Sequence, residues 1–437
     1  MSAAISAPWL PPPTLDGVAM HDLVTELFPI CRSITGHGVR ETLKAIAGRL
    51  PLILHEVPSG TRAFDWVVPN EWNIQDAYIA NTSGRRQIDF HDNNLHVVGY
   101  SQPVRARMPL AALQPHLHSL PEQPDAIPYR TSYYDETWGF CLTDRQRTAL
   151  IDDEYDVVID STLANGSLTY GECVLPGNCQ EQVLIYTHTC HPSLANDNLT
   201  GIAVCTFLAR WLASVEHRFT YRFVFGPGTI GSLVWLSRNQ HSLAQLRHGL
   251  VGVSLGDAGP LRYKQSRRGD APVDRAAAHV LKHSGRVHQI EPFSPVGYDE
   301  RQFCSPGFDL PVGRLSRSAS EAYPEYHTSL DTPALIQPDA LAESLAIAAE
   351  ILATLESDGR YVNTQPFGEP QLGRRGLYRR HGGPDLPDRE RAMLWVLNLS
   401  DSKHSLLEIA DRASLPMRSI VNAAAELREA ALLVPAP

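Results

Sequence analysis

An α/β fold with a β-rich insertion and a small helical C-terminal unit is what the sequence predicts, on three observations. Strand-length apolar runs alternate with helix-length segments between Val183 and Leu255. The stretch from Glu56 to Thr148 instead carries short β-like runs broken by Pro, Gly and Asn. Beyond Gln365 a Pro- and Gly-rich linker leads into three helical patterns. A chain of 437 residues is too long for one ordinary core, in keeping with two or three such units.

Taken in order, Met1 to Thr14 is Pro-rich and reads as a loosely attached arm. A helical pattern opens at His21-Asp22-Leu23-Val24 and runs to Phe28, and a second spans Gly36 to Leu50. The insertion follows, with β-like runs at Ala77-Tyr78-Ile79-Ala80 and Leu95-His96-Val97-Val98-Gly99-Tyr100, and nothing in it has the spacing of a strand-helix-strand unit. The main unit then reads as strand Val183–Thr187, helix Gly201–Ser214, strand Tyr221–Phe225, helix Ile230–Asn239 and strand Gly249–Leu255, closed by a helix Asp339–Leu355. That alternation predicts a sheet covered by helices, with ligand chemistry at the carboxyl ends of the strands, where His188 and Asp257 fall. The linker is placed at Gln365 to Pro387, and beyond it Ser405-Leu406-Leu407-Glu408-Ile409-Ala410 and Met417-Arg418-Ser419-Ile420-Val421 resemble a helix-turn-helix.

Composition narrows the setting. Hydrophobic and charged fractions of 43% and 20% are ordinary for a globular protein. No apolar run reaches membrane-spanning length and no secretory leader pattern opens the chain, so a cytoplasmic protein without membrane attachment is expected. Seven scattered cysteines with no CxxC pair oppose both a disulfide framework and a structural zinc ribbon. A net charge of −10 without a long basic run opposes nucleic-acid binding, which needs clustered Lys and Arg to neutralise phosphates. The expected ligand is a small molecule or a peptide.

Chemistry concentrates in two blocks. His188-Thr189-Cys190-His191-Pro192 follows the Val183 strand, with Asn196-Asp197-Asn198 six residues on, and Tyr326-His327-Thr328-Ser329-Leu330-Asp331 lies far downstream. Together they offer the imidazole and carboxylate donors that zinc prefers. The glycines of Gly226-Pro227-Gly228-Thr229-Ile230-Gly231 lack a phosphate-loop Lys and dinucleotide spacing, so a tight strand-to-helix turn is predicted there.

On these blocks, with Ser266-Arg267-Arg268-Gly269-Asp270 and Tyr298-Asp299-Glu300-Arg301-Gln302-Phe303, the main unit resembles the zinc aminopeptidases of the two-metal type. The whole chain is similar to a bacterial family of uncharacterised aminopeptidase-like proteins with an inserted β lid and a C-terminal winged helix. The resemblance implies an aminopeptidase-like mixed sheet flanked by helices in a discontinuous zinc domain (15–55 and 165–360), a β-rich lid at 56–164 and a winged-helix domain at 385–437. It implies His188 as first-metal ligand, with His191 competing for that role, Asp197 as bridge, Asp257 as a further carboxylate and His327 as the late histidine. One zinc is expected and a second is left open.

One departure bears on mechanism. Two-metal aminopeptidases carry adjacent glutamates after the next strand, one a general base and one a ligand, whereas Phe225 to Ser232 here contains no carboxylate. A single zinc can suffice, because it lowers the pKa of a bound water to about 7. Candidate proton carriers are then Glu300, weakly favoured, Asp299, Glu325, or whichever of His188 and His191 is not a ligand. Arg267, Arg268 and Arg301, with Tyr298 and Tyr326, are the expected substrate contacts, and Arg317 is a further guanidinium of the same kind, since such groups receive carboxylates or phosphates.

Plainer readings stand beside these. Asp257 could cap the turn before Gly259-Pro260, and the arginines could form internal ion pairs with Asp270, Asp299 or Glu321. From Asp388 onward seven acidic residues face six basic ones, so packing, dimerisation into a homo-oligomer, or covering the active site is preferred to DNA binding for the last unit. The expected activity is zinc-dependent hydrolysis of an amide-type bond in a small substrate, in a setting the resemblance links to polysaccharide or secondary-metabolite biosynthesis. A catalytically silent metal- or ligand-binding protein on the same scaffold is the alternative, and a winged-helix regulator sensing a metabolite is a third.

Overall fold

The computed structural model describes residues 12–151, 153–318, 323–377 and 387–437. The arm expected at Met1 to Thr14 lies mostly outside these residues, as does the middle of the linker.

The sheet that carries the site has eight strands in mixed orientation. Its order is Ile53–Pro58, Ser167–Leu175, Thr220–Gly226, Gln182–His188, Leu246–Gly252, Val312–Ser316, Leu261–Lys264 and His288–Glu291. Gln182–His188 lies between two parallel neighbours and is buried at every position. This explains why its sequence is an unbroken apolar run rather than an alternation. Side chains still divide by face: Val183 and Ile185 enter one core, Leu184 and Tyr186 the other.

Each core is extended by a different appended unit. The face of Val183 is covered by helices Gly201–Leu212 and Pro338–Ser357, and its core continues through Val396, Leu407 and Ile420 of the C-terminal unit. The other face is covered by helix Ile230–Asn239 and by the insertion, which contributes Ile79, Phe140 and Val157. The insertion is built on an antiparallel four-stranded sheet ordered Arg86–Asp89, Glu71–Asn81, Glu154–Ala164 and Val104–Pro109.

The expected run Leu95 to Tyr100 is not a strand. Asn93 accepts the Leu95 N–H at 2.9 Å and starts a short 3₁₀ turn at Asn94–His96, after which only isolated bridges form at Val97 and Gly99. In the last unit Ser405 and Glu408 form a reciprocal capping box that opens helix Leu406–Ala413, and a second helix runs Met417–Glu429. Strand Arg360–Asn363, which begins where the range expected for the zinc domain ends and precedes the expected winged-helix range, pairs with Asp401–Ser405 and Leu433–Pro435 of this unit. Among the described residues no helix is long and apolar enough to cross a membrane.

Candidate metal centre

His188 is the last residue of the central strand, so its imidazole leaves the sheet at the carboxyl edge. Asp197 sits in the turn Ala195–Thr200, which two asparagines fasten to the strand ends. Asn198 donates to Thr187 Oγ1 and to the His188 carbonyl, and accepts the Ser254 N–H. Asn196 donates to Asp257 Oδ2 and accepts the Gly256 N–H. Asp331 takes the backbone N–H groups of Asn196 at 2.7 Å and Asp197 at 3.0 Å, and burial pushes its carboxyl up to about 7.

The result is one buried carboxylate met by two imidazoles on separate oxygens. His188 Nε2 lies 2.9 Å from Asp197 Oδ1, and His327 Nε2 lies 3.0 Å from Oδ2. His191 Nε2 stands 3.9 Å from Oδ2, so both competing histidines face the same acid. Donor atoms of His188, His191 and Asp197 all fall within 4.8 Å of one another. Burial opposes ionisation of Asp197, but His191, His188 and His327 overcome it and hold the carboxyl well below the usual range. Burial also drives the His191 imidazole down to about 3, leaving it neutral at physiological pH with a lone pair to offer, and its Nδ1 has no hydrogen-bond partner. Two nitrogen donors converging on a carboxylate, with an orphaned third imidazole alongside, is a donor set that fits zinc. The other cluster of similar type among the described residues, Asp76, Asp89 and His91, is more exposed, and Arg86 already binds both of its acids.

The downstream histidine reaches this point through the insertion. The His327 carbonyl accepts the Tyr129 N–H at 2.8 Å, Ser329 bonds Ile127 through both backbone and hydroxyl, and the Tyr129 ring stands edge-on to His191 and His327. His327 itself has φ +54°, a left-handed conformation that costs a non-glycine residue energy and is held here by those bonds. Tyr298 stacks on His188 and Tyr326 on His327.

Beside the histidines opens a cavity of about 430 Å³. Its walls include Tyr298, Arg301 and Tyr326, as expected, but also Trp66, Tyr133 and Tyr134 from the insertion, which sequence reading did not single out. No local pattern marks these three, because only the docking of the insertion brings them to the histidines. Asp299 also lines the cavity. Its Oδ1 accepts the Thr229 N–H at 2.8 Å and the Ser232 hydroxyl at 2.7 Å, and burial raises its carboxyl above the ordinary range. The predicted tight turn is present between strand and helix: an added Cβ at Gly228 would crowd Cys190 Sγ at 3.3 Å and touch His188 Cβ at 3.6 Å.

Four expected residues take other places. Asp257 spends its carboxylate on Asn196, on the Ser318 hydroxyl and on the Gly259 N–H at 2.6 Å, so it is a turn and network residue rather than a member of the donor cluster. Glu300 is fully buried with Lys264 at 2.9 Å and Arg314 at 3.6 Å, a pairing that leaves it behind the cavity wall. Arg267 and Arg268 both bind Asp309 near the surface instead of reaching the cavity. Of the other groups weighed, Arg317 bonds Ser344 and Glu343.

Sheet order, strand-end histidine and turn aspartate together define an aminopeptidase-like α/β protein. Solved folds agree: a zinc aminopeptidase from Bacillus subtilis superposes with a TM-score of 0.58 at 13% identity, covering 77% of this chain and 94% of that one. A peptidase M28 precursor from Shewanella amazonensis gives 0.56 at 15% identity, over 77% and 92%. The chain belongs to the family of the domain of unknown function DUF4910, whose model matches residues 21–358, and a winged helix-turn-helix model matches 359–435. A Clostridium acetobutylicum relative, provisionally named a polysaccharide biosynthesis protein with an aminopeptidase-like domain, is 50% identical over 95% of this chain and 96% of its own. A crystal structure of a provisionally assigned peptidase from that organism superposes with a TM-score of 0.92 at 48% identity, covering 96% of both chains.

Proposed function

We propose that this protein is a zinc-dependent hydrolase acting on an amide-type bond in a small substrate, with one zinc held by Asp197, His327 and one of His188 and His191, which leaves a position open. The observation that carries the reading is the buried Asp197 carboxylate facing separate imidazoles through its two oxygens. Zinc bound there would supply Lewis acidity toward a carbonyl and a lowered pKa for water. The chain's own groups do the rest. Asp331 fixes the Asp197 backbone, Tyr298 and Tyr326 fix the imidazole planes by stacking, and the aromatic walls offer the substrate an apolar surface. Asp299, oriented by Thr229 and Ser232 in the same cavity, is the group assigned to proton transfer in place of the missing glutamates. The provisional name of the Clostridium acetobutylicum relative, a polysaccharide biosynthesis protein with an aminopeptidase-like domain, supports a setting in polysaccharide or related biosynthesis.

His327→Ala tests the reading. Elemental analysis should find close to one zinc per wild-type chain and less than ~0.5 per variant chain, with loss of amide hydrolysis, because a site of this size cannot spare a donor. Unchanged zinc affinity in the variant would refute the assignment. One feature favours a second reading, a silent binding protein: backbone at Gly228, not a carboxylate, packs against His188. Full zinc occupancy with no turnover across an amide panel would select that alternative.

A further inference from the structure

Within the cavity beside the histidines, the one charged side chain lacking a hydrogen-bond partner among the described residues is Arg301. Its Nε is buried without an acceptor, and among the described residues no acid stands within ion-pair distance of it. By contrast Asp197 is met by imidazoles, and Asp299 by an N–H and a hydroxyl. Leaving a guanidinium nitrogen dry and unpaired is costly, so such a group at a cavity wall is poised for an anion that the chain itself does not supply.

A mixed cluster with one cation in excess backs another part of the wall, at Gly297. Lys264 and Arg314 share Glu300, while Arg314 and Arg262 share Glu291, so three cations stand on two carboxylates. This cluster lies directly under Gly297 of the cavity wall, where an added Cβ would meet the Glu300 carboxylate first, then Lys264 Nζ at 2.9 Å and Arg314 Nη1 at 3.3 Å. Arg314 also sits over the Tyr298 ring at 5.5 Å. An ammonium placed beside Arg301 would meet a guanidinium with no counter-charge of its own among the described residues.

Building on the hydrolase reading above, we propose that the cavity takes amides carrying a carboxylate, received by Arg301 with an apolar or aromatic body against Trp66, Tyr133 and Tyr134. It disfavours the free amino terminus that an aminopeptidase requires.

Calorimetric titration of the zinc-loaded full chain with three probes tests this. N-acetyl-L-phenylalanine should bind about tenfold or more tighter than N-acetyl-L-phenylalaninamide and L-phenylalaninamide, the factor expected for a charge-assisted bond to a half-buried guanidinium. Arg301→Gln should erase the preference while zinc content and melting temperature hold, and Arg301→Lys should keep part of it. Tightest binding of L-phenylalaninamide, or no binding of any probe up to its solubility limit, overturns the proposal. So does a carboxylate preference that survives Arg301→Gln, which would place the carboxylate on the metal. Failure of the zinc reading is separable: it appears in wild-type metal content, and the same titrations on chelator-treated protein still report on Arg301.

Discussion

Asp257 and Glu300 are both buried acids near the carboxyl ends of the strands, and the bonds around each decide what its loss should do. Asp257 accepts from a side-chain amide, a hydroxyl and a backbone N–H, all neutral. Asp257→Asn should therefore leave zinc stoichiometry unchanged while lowering stability by ~1–3 kcal/mol in urea unfolding, the cost of mispaired buried donors; loss of zinc would restore it as a ligand. Glu300 instead neutralises Lys264 and Arg314. Glu300→Gln strands those cations, and a loss of ~3–5 kcal/mol is expected, a breakage cost rather than a measure of what the pair contributes. A variant of full stability but no activity would return Glu300 to catalysis.

At the scale of elements, three segments meet at Arg40 of helix His37–Ala47, which bonds Glu71 of the insertion's long strand at 2.7 Å and Glu56 of the sheet edge at 3.0 Å. The Arg40 guanidinium holds the Glu71 carboxyl down to about 2, against partial burial. A depressed acid contributes stability that is complete above its unfolded pKa of ~4.3 and is lost as pH falls toward the folded value. The stability gap between wild type and Glu71→Gln should thus be constant at neutral pH and shrink between about pH 4.5 and 2. A gap that stays flat through that window in denaturation curves would show the bond to be idle. Strand Gln182–His188 and the helices after it were legible in sequence because their burial is written as apolar runs. The strands Ile53–Pro58 and Ser167–Leu175 were not, because they pair across an insertion of over a hundred residues that hides the partnership.

For the whole molecule, the C-terminal unit is docked rather than tethered. Arg275 pairs with Glu408 and His279 with Asp411, and the Met417 N–H donates to His279 Nε2, so the first residue of the second helix is buried against the main domain. Helix-turn-helix proteins read bases with that end of the helix. Together with the balance of seven acids to six bases, this occlusion predicts no shift of genomic fragments by the full chain even at low salt; a salt-sensitive shift would overturn the packing role proposed for this unit.

By itself the sequence determined the α/β class, the insertion, the small helical tail and the candidate imidazole and carboxylate donors His188, His191, Asp197 and His327 of the proposed site, because strand periodicity and imidazole-carboxylate chemistry are local properties. Only the tertiary structure decided which acids stand with the histidines. Asp257 and Glu300 are withdrawn by partners 61 and 36 residues away in sequence, while Asp299 is drawn in by Thr229 and Ser232. Arg267 and Arg268 are likewise claimed by Asp309, leaving Arg301 in the cavity. The physical reason is that a charged side chain goes where its counter-charge and hydrogen-bond partners are, and long-range packing, not local pattern, brings those partners together.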